Sequence, residues 1–406
     1  MGQEAGRGGN EIAKIMRDHL GGYRKKYRMS YEQTRAANDI MKCRTGVMGG
    51  KVVACEKCGK WELRFASCKN RHCPKCGAFE KAQWLERQKV WLLPVGYYQV
   101  VFTIDHVFNG LVWRNQKAMY DLVIRVAVEI LKEYGRRYLG GEMGFSLVLH
   151  TWGQQMQRHV HVHFMVTGGA LVKTAKGGYR WQAAKKAYLF PVKLMSVEYR
   201  EKFREGVMKL WEDGKLKTEG LDVGEMLEKS GEQDWEVYIQ PPVGEPEQLL
   251  DYLGRYMHRI AMSNHRIVGY DGENVTYEYY DNRDEGKKKR KTEKAEKFIG
   301  DFLMHVLPRR YVRVRHYGLH HGSCRWKLKE ARKILGMPGE VPEIEKLGLL
   351  EWLKEILGSE TEPDRCPYCG EGRLVVVREF GPIEEWRVKV ARVLGMFTRW
   401  RAGVVI

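Results

Sequence analysis

Hydrophobic and polar positions alternate most strictly over Gln157 to Val166, QRHVHVHFMV. At strand periodicity Val160, Val162 and Phe164 fall on one face, and His159, His161 and His163 on the other. Elsewhere the period changes. Ile12 to Tyr23 and Tyr31 to Met41 repeat at helical spacing, with Ser30 as N-cap of the second stretch. Gly96 to Asp105 is β-branched and aromatic and predicts a strand, followed by a long amphipathic helix from about Asn115 to Tyr134. Phe145 to His150 is a second apolar strand, joined to the histidine strand by the turn-like TWGQQMQR, so the two pair as an antiparallel hairpin. A helix over Lys193 to Trp211 and a strand over Trp235 to Ile239 follow, with Pro241 and Pro242 stopping the strand. The helix LLDYLGRYMHRIAM comes next, then a hairpin over Ile267 to Tyr280 turning at Asp271 and Gly272. A helix over Glu293 to Val306, the strand RYVRVRHYG and an amphipathic basic helix from Glu384 to Ile406 complete the pattern.

Three imidazoles on one strand face form a row of metal ligands. Residues two apart on a strand lie ~6.5 Å from each other. Two neighbours can therefore lean onto one ion at ~2.1 Å per bond, whereas the third is out of reach. The remaining ligand must come from another strand. His150 ends the preceding strand at the height of His161 and His163, and directly opposed residues of an antiparallel pair share a face. His150 is thus the expected third ligand, with His159 as the alternative.

Composition adds a partner. The chain has 406 residues, enough for two or three domains, with Lys plus Arg at 70 against 51 Asp plus Glu, a net charge of +19 and 11% aromatic residues. Such an excess calls for a polyanion, and basic groups near aromatic rings suit single-stranded nucleic acid, phosphates meeting cations while unstacked bases lie on rings. Small-molecule chemistry has no comparable signature here. Apolar runs stay below the ~20 residues that span a bilayer, and MGQEAGRGGNE lacks a signal-peptide apolar region. A soluble, cytoplasmic, DNA-associated protein without membrane partners is the expectation.

Of nine cysteines, six fall between Cys43 and Cys76. Two Cys-x-x-Cys pairs, Cys55 with Cys58 and Cys73 with Cys76, are each followed by glycine, as in zinc knuckles that aim thiolates at one tetrahedral Zn2+. Cys43, Cys68 and His72 are left for a possible second site. Cys366 and Cys369 form half of a zinc site, and Cys324, His320 and His321 lie too far away in sequence to be assigned to it. Within the LLDYLGRYMHRIAM helix, Tyr252 and Tyr256 stand four apart, on one helical face. They read either as ordinary amphipathic-helix aromatics or as paired nucleophiles among Arg255, His258, Arg259, His265 and Arg266. The run GKKKRK, with Lys288, Lys289 and Arg290, is either a solvated loop or a phosphate-tracking arm. Arg310, Arg313 and Arg315 alternate with apolar residues, as if lining a DNA channel.

Taken in order, CRTGVMGG from Cys43, SCKNRHCPKC from Ser67, VLHTWGQ from Val148, HVHVHF from His159, QPPVGEPEQLLDYLGRYMHRIAMSNHRI from Gln240 and YVRVRHYGL from Tyr311 resemble the two-tyrosine HUH transposases of rolling-circle-type bacterial insertion sequences. The likeness covers most of the chain. It implies that His161 and His163 are the HUH histidines, that Tyr252 and Tyr256 are the tyrosine pair, and that the catalytic ion is Mg2+ or Mn2+. Val160 stands where such families commonly place a proline, which leaves His159 freer to be a ligand. The activity implied is cleavage and rejoining of single-stranded transposon ends through a 5′-phosphotyrosine. A replication initiator or relaxase shares that chemistry, but initiators often add a helicase, and no Gly-rich phosphate loop ending in Lys-Ser or Lys-Thr occurs here. The rival of another class is a noncatalytic zinc-dependent DNA-binding protein. The expected fold is mixed α/β (α+β), an antiparallel HUH sheet flanked by helices. Its expected divisions are a helical zinc-binding, DNA-binding domain over 1–92, the catalytic domain with the tyrosine helix over 93–270, a basic DNA-contacting extension over 271–340 and a carboxyl-terminal segment over 341–406.

Overall fold

In the computed structural model the described residues are 12–76, 84, 85, 87–185, 188–232, 234–243, 260–281, 283–341, 348, 351, 362 and 364–382. The tyrosine helix, with Tyr252, Arg255, Tyr256, His258 and Arg259, and the terminal helix over Glu384 to Ile406 lie outside them.

The fold is mixed α+β with antiparallel sheets, as the periodicities require. Its strands in chain order are β1 (Gly50–Cys55), β2 (Trp61–Phe65), β3 (Tyr97–Thr103), β4 (Gly144–Trp152), β5 (Arg158–Thr167), β6 (Gly169–Lys173), β7 (Tyr179–Ala183), β8 (Val237–Val243), β9 (Ile267–Tyr270), β10 (Asn274–Asp281), β11 (Lys287–Lys294), β12 (Val314–Gly318) and β13 (Leu374–Phe380). The histidine strand is β5, the centre of a five-stranded sheet ordered β12-β4-β5-β3-β8. One face of that sheet is apolar because β3, β4 and β5 each turn alternate large residues to it. Phe102, Leu147, Val162 and Phe164 there are fully buried against helices Gln116–Leu139 and Val192–Glu212. Burying a Phe or Val side chain stabilises by about 1.5–3 kcal/mol, so this face fixes the register and the opposite face is left to the histidines.

Two local expectations change. Pro241 and Pro242 do not stop β8, which continues to Val243. It is the edge strand beside β3, where a residue without an N–H costs no ladder bond on the open side. The β4–β5 connection is also shorter than the apolar pattern suggests, because β4 extends to Trp152 across a register irregularity after His150.

A second core joins distant segments. Helices Ile12–Lys26 and Tyr31–Lys42, the latter started by a Ser30–Gln33 capping box, pack with helix Ala295–Leu303 and the β11-β10-β9 sheet. Met156, fully buried at the tip of the β4–β5 turn, inserts into this core. His305 bridges Thr151 Oγ1 (3.1 Å) and the Met156 carbonyl (2.8 Å), and the Tyr277 hydroxyl donates to the Gln155 carbonyl (3.1 Å). The turn leading into the histidine strand is thus clamped from outside the sheet. Packing also crosses the linear divisions expected from sequence. Strand β12 completes the histidine sheet from the basic extension, and β13 pairs with β1 from the carboxyl-terminal segment. Edge strands need partners, and these come from far along the chain.

Candidate active site

Register places the histidines. His161 lies opposite His150 of β4 and Thr103 of β3, while His163 lies opposite Val148 and Val101. His150, almost wholly buried, stacks on Trp152 with ring centroids 4.8 Å apart. Ring centroids of His150 are 5.3 Å from those of His161 and 4.7 Å from those of His163, and the latter two are 4.8 Å apart. One nitrogen from each of these three residues lies within 4.8 Å of the others. Two bonds of ~2.1 Å span at most ~4.2 Å, so small ring rotations would bring all three onto one ion. His159 sits beside His161, with centroids 4.8 Å apart, but outside this group. Burial pushes its pKa down, so it is the more readily neutral.

The outer contacts orient the rings. His161 Nδ1 donates to the His159 carbonyl at 2.9 Å, which leaves Nε2 with its lone pair. His163 Nδ1 meets the Gln99 side-chain amide at 2.9 Å. There the Gln99 Nε2 donates and Nδ1 accepts; the amide turned end for end would instead make Nδ1 the donor and leave Nε2 as the ligating atom. Gln99 comes from β3 and had no signal in the sequence beyond its place in an apolar strand.

The three imidazoles open into a cleft of about 790 Å³. Trp152, Gln154 and Gln157 line it on the β4–β5 side, Glu236 just before β8, and Tyr279, Tyr280, Asp281 and Arg283 at the end of β10. The sequence reading missed these last four and Glu236. Tyr279 and Tyr280 fell in the expected Ile267 to Tyr280 hairpin and Glu236 in the expected Trp235 to Ile239 strand, but where those elements dock was not legible.

The expected DNA contacts scatter. Among them Arg266 is structural: it bonds the carbonyls of Glu278 (2.9 Å), Ala261 (3.2 Å) and Gln154, and lies over the Tyr277 ring. The basic run is neither loop nor free arm but β11, paired with β10. Lys289 meets Asp281 and Asp284, each at 2.9 Å, and Lys288 and Arg290 both meet Glu278. Exposed pairs of this kind are weak, so a phosphate can displace the acids, yet the local net charge is lower than the run suggests. Arg313 is buried enough that its pKa falls to about 10, and Arg315 pairs with Asp121 at 2.7 Å. Arg315 nonetheless stays part-exposed on a cleft that it lines with Arg309 and Arg310.

The cysteines regroup. Cys73 and Cys76 join Cys43 and Cys68, not Cys55 and Cys58, which meet Cys366 and Cys369 instead. The reason is the β1–β2 hairpin. Its strand β1, six residues long, spans ~17 Å. Cys55 and Cys58 are at the hairpin's closed end, whereas Arg44 and Ala66, bonded at 3.1 Å, hold Cys43 and Cys68 at its open end. His72 joins neither group; burial lowers its pKa to about 3 and keeps it neutral. Cys43 and Cys68 Sγ lie 3.3 and 3.6 Å from Cys76 Sγ, far beyond the ~2.05 Å of a disulfide and near the spacing of thiolates sharing a tetrahedral ion.

Known proteins match over the same regions. A family model described as "Transposase zinc-binding domain" matches residues 15–104, and one described as "Putative transposase" matches residues 144–327, beginning at the first residue of β4. The "Putative transposase y4qJ" of Sinorhizobium fredii (strain NBRC 101917 / NGR234) is 35% identical, the alignment covering 94% of this chain and 99% of that relative. The "Transposase for insertion sequence element IS801" of Pseudomonas savastanoi pv. phaseolicola is 23% identical over 83% of this chain and 82% of its own length. No solved structure matches. Among the described residues no helix is long and apolar enough to cross a membrane. By its near full-length likeness and both matched models, the chain belongs to the IS91-type transposases of rolling-circle insertion sequences, DNA-acting proteins with an amino-terminal zinc-binding domain.

Proposed function

We propose that this transposase cuts and rejoins single-stranded DNA at the ends of its element, with Tyr252 and Tyr256 as nucleophiles and His150, His161 and His163 as ligands of a divalent ion, Mg2+ or Mn2+. The observation that carries the reading is the convergence of three imidazole nitrogens at the floor of an aromatic-walled cleft. When bound, the ion would polarise a nonbridging oxygen of the scissile phosphate and favour attack in line. The chain's own residues do the rest. The His159 carbonyl holds His161 in the ligating tautomer, Gln99 bonds His163 Nδ1, Tyr279 and the exposed Tyr280 offer rings to unstacked bases, and Arg283 offers a cation to the backbone. A tyrosine oxygen forms a bond to phosphorus, and the 3′-oxygen leaves with the bonding electrons and takes up a proton. The phosphodiester energy is thereby kept in a 5′-phosphotyrosine, and attack by a 3′-hydroxyl reverses the step and rejoins the strand. Two tyrosines allow a second cut while the first end stays bound.

Support for the tyrosine assignment comes from the flanks. Strand β8, which precedes Tyr252, lies two strands from the histidine strand, and Arg266, which follows Tyr256, bonds the Gln154 carbonyl on the cleft wall. The Cys43, Cys68, Cys73 and Cys76 group is the zinc site of the amino-terminal domain in this reading. Incubation with a labelled single-stranded end oligonucleotide and Mn2+ is expected to give an SDS-resistant adduct. The Tyr252→Phe, Tyr256→Phe double variant should give none. An undiminished adduct from that variant, with the label moved to Tyr279 or Tyr280, would transfer the nucleophile to β10. No adduct from the unaltered protein would favour a noncatalytic DNA-binding role.

A further inference from the structure

Cys366 and Cys369 lie outside both matched family regions, and their partners are about three hundred positions away in sequence. Cys55 Sγ is 3.7 Å from Cys369 Sγ, and Cys58 Sγ is 3.7 Å from Cys366 Sγ. Four thiolates bonded to one tetrahedral ion at ~2.3 Å stand ~3.8 Å apart, whereas a disulfide needs ~2.05 Å. All four sulfurs fall within 4.8 Å of one another, and Cys55 and Cys366 are 1% exposed.

The two halves are near copies of each other. In the first, the Cys58 N–H donates to Cys55 Sγ (3.4 Å), Gly59 N–H to the Cys55 carbonyl (3.0 Å) and Cys55 N–H to the Lys60 carbonyl (2.8 Å). In the second, the Gly372 N–H donates to Cys369 Sγ (3.4 Å), Gly370 N–H to the Cys366 carbonyl (2.9 Å) and Cys366 N–H to the Gly372 carbonyl (2.7 Å). Gly59 and Gly370 have φ of 68° and 66°, the left-handed turn that lets a Cys-x-x-Cys-Gly loop fold its amides onto sulfur. Amide donors at sulfur stabilise thiolate over thiol and are the outer contacts of a metal site. A Cβ at Gly372 would stand 2.5 Å from Cys55 Sγ, so the halves meet at a distance only glycine allows. Lys57 pairs with Glu371, and Lys60 lies 5.0 Å over the Tyr368 ring. Beyond the loops, β13 pairs with β1 from Gly50–Phe380 to Cys55–Leu374, completing a three-stranded sheet with β2.

We infer that Cys55, Cys58, Cys366 and Cys369 form a second structural zinc site, a four-thiolate clasp that fastens the carboxyl-terminal segment to the amino-terminal zinc-binding domain. It is independent of the histidine centre and of strand cleavage. Everything between Cys58 and Cys366, the histidine row included, is then a loop closed by one ion. Zinc held by the four sulfurs contributes binding free energy to that closure.

The full-length protein, purified under reducing conditions, is expected to carry two zinc ions per chain. The Cys366→Ser, Cys369→Ser variant should carry one, and Co2+ exchanged into it should show half the thiolate charge-transfer absorption. On the unaltered protein, alkylation mapped by mass spectrometry during chelator titration should release Cys55, Cys58, Cys366 and Cys369 together, in a phase separate from Cys43, Cys68, Cys73 and Cys76. Two ions retained in the serine variant would overturn the clasp. So would alkylation of Cys366 and Cys369 while Cys55 and Cys58 stay protected, a readout that survives even if the variant does not fold.

Discussion

His161→Ala protein is expected to bind single-stranded end DNA within about twofold of the unaltered chain and to form covalent adduct roughly 10³-fold more slowly. His161 is the middle of the three-imidazole group: it faces His150 across the β4–β5 ladder and neighbours His163 on its own strand. Removing it leaves two ligands and a gap, and an ion polarising a phosphoryl oxygen is worth several kcal/mol of transition-state stabilisation, about 1.36 kcal/mol per tenfold in rate. Binding persists because the groups that meet phosphates and bases, Arg283, Tyr279 and Tyr280, stand on other elements of the cleft. A graded companion sharpens the test. Gln99→Leu keeps all three imidazoles and removes only the partner of His163 Nδ1, so it should raise the Mn2+ needed for half-maximal adduct about 10–100-fold, the range seen for outer-shell partners. Saturating metal should restore most of its rate. If the His161→Ala adduct forms at the unaltered rate, the imidazole group is not the catalytic centre.

The centre was legible to an unequal degree, and the inequality has a physical origin. Strand β5 declared itself because one face buries Val160, Val162 and Phe164, and a period-two pattern cannot be satisfied by a helix. His150 was legible because a hairpin brings neighbouring strands into opposition. Nothing local announces Gln99, Glu236 or Tyr279, which reach the cleft through the strand order β12-β4-β5-β3-β8 and the docking of the β10 hairpin on the β4–β5 turn. Non-local pairing has no sequence period. The cysteines make the same point more sharply. Two Cys-x-x-Cys pairs fourteen residues apart suggested one site, and the β1–β2 hairpin, with the first pair at its closed end and strand β2 leading away towards the second, sent them to different ends. Charge was the least legible feature: Lys288, Lys289 and Arg290 read as a bare cationic run, and only the β10–β11 register shows the acids opposite them.

Cys73→Ser is expected to have the largest effect on stability. Cys73 is 2% exposed and packs in the second core with Cys43, Met156 and helices that include Ile12, Ile40 and Phe298. Structural zinc in small domains contributes about 10–16 kcal/mol of apparent folding free energy, as much as the about 5–15 kcal/mol by which whole proteins are stable. The substitution removes one of four ligands and leaves three sulfurs against an apolar core, where burying thiolates without the ion is costly. Zinc content should fall by one ion per chain, residues 12–76 should become the first protease-sensitive region, and because the same core holds Met156 at the β4–β5 turn, adduct formation should fall with it. Cys366→Ser should behave differently. It also loses one ion, but Cys366 lies outside the second core, so the helices over Ile12–Lys26 and Tyr31–Lys42 should stay protected and the adduct should form. Zinc analysis with limited proteolysis of the two variants side by side checks this, and equal protection of residues 12–76 in both would show that the Cys43 group does not hold the amino-terminal fold.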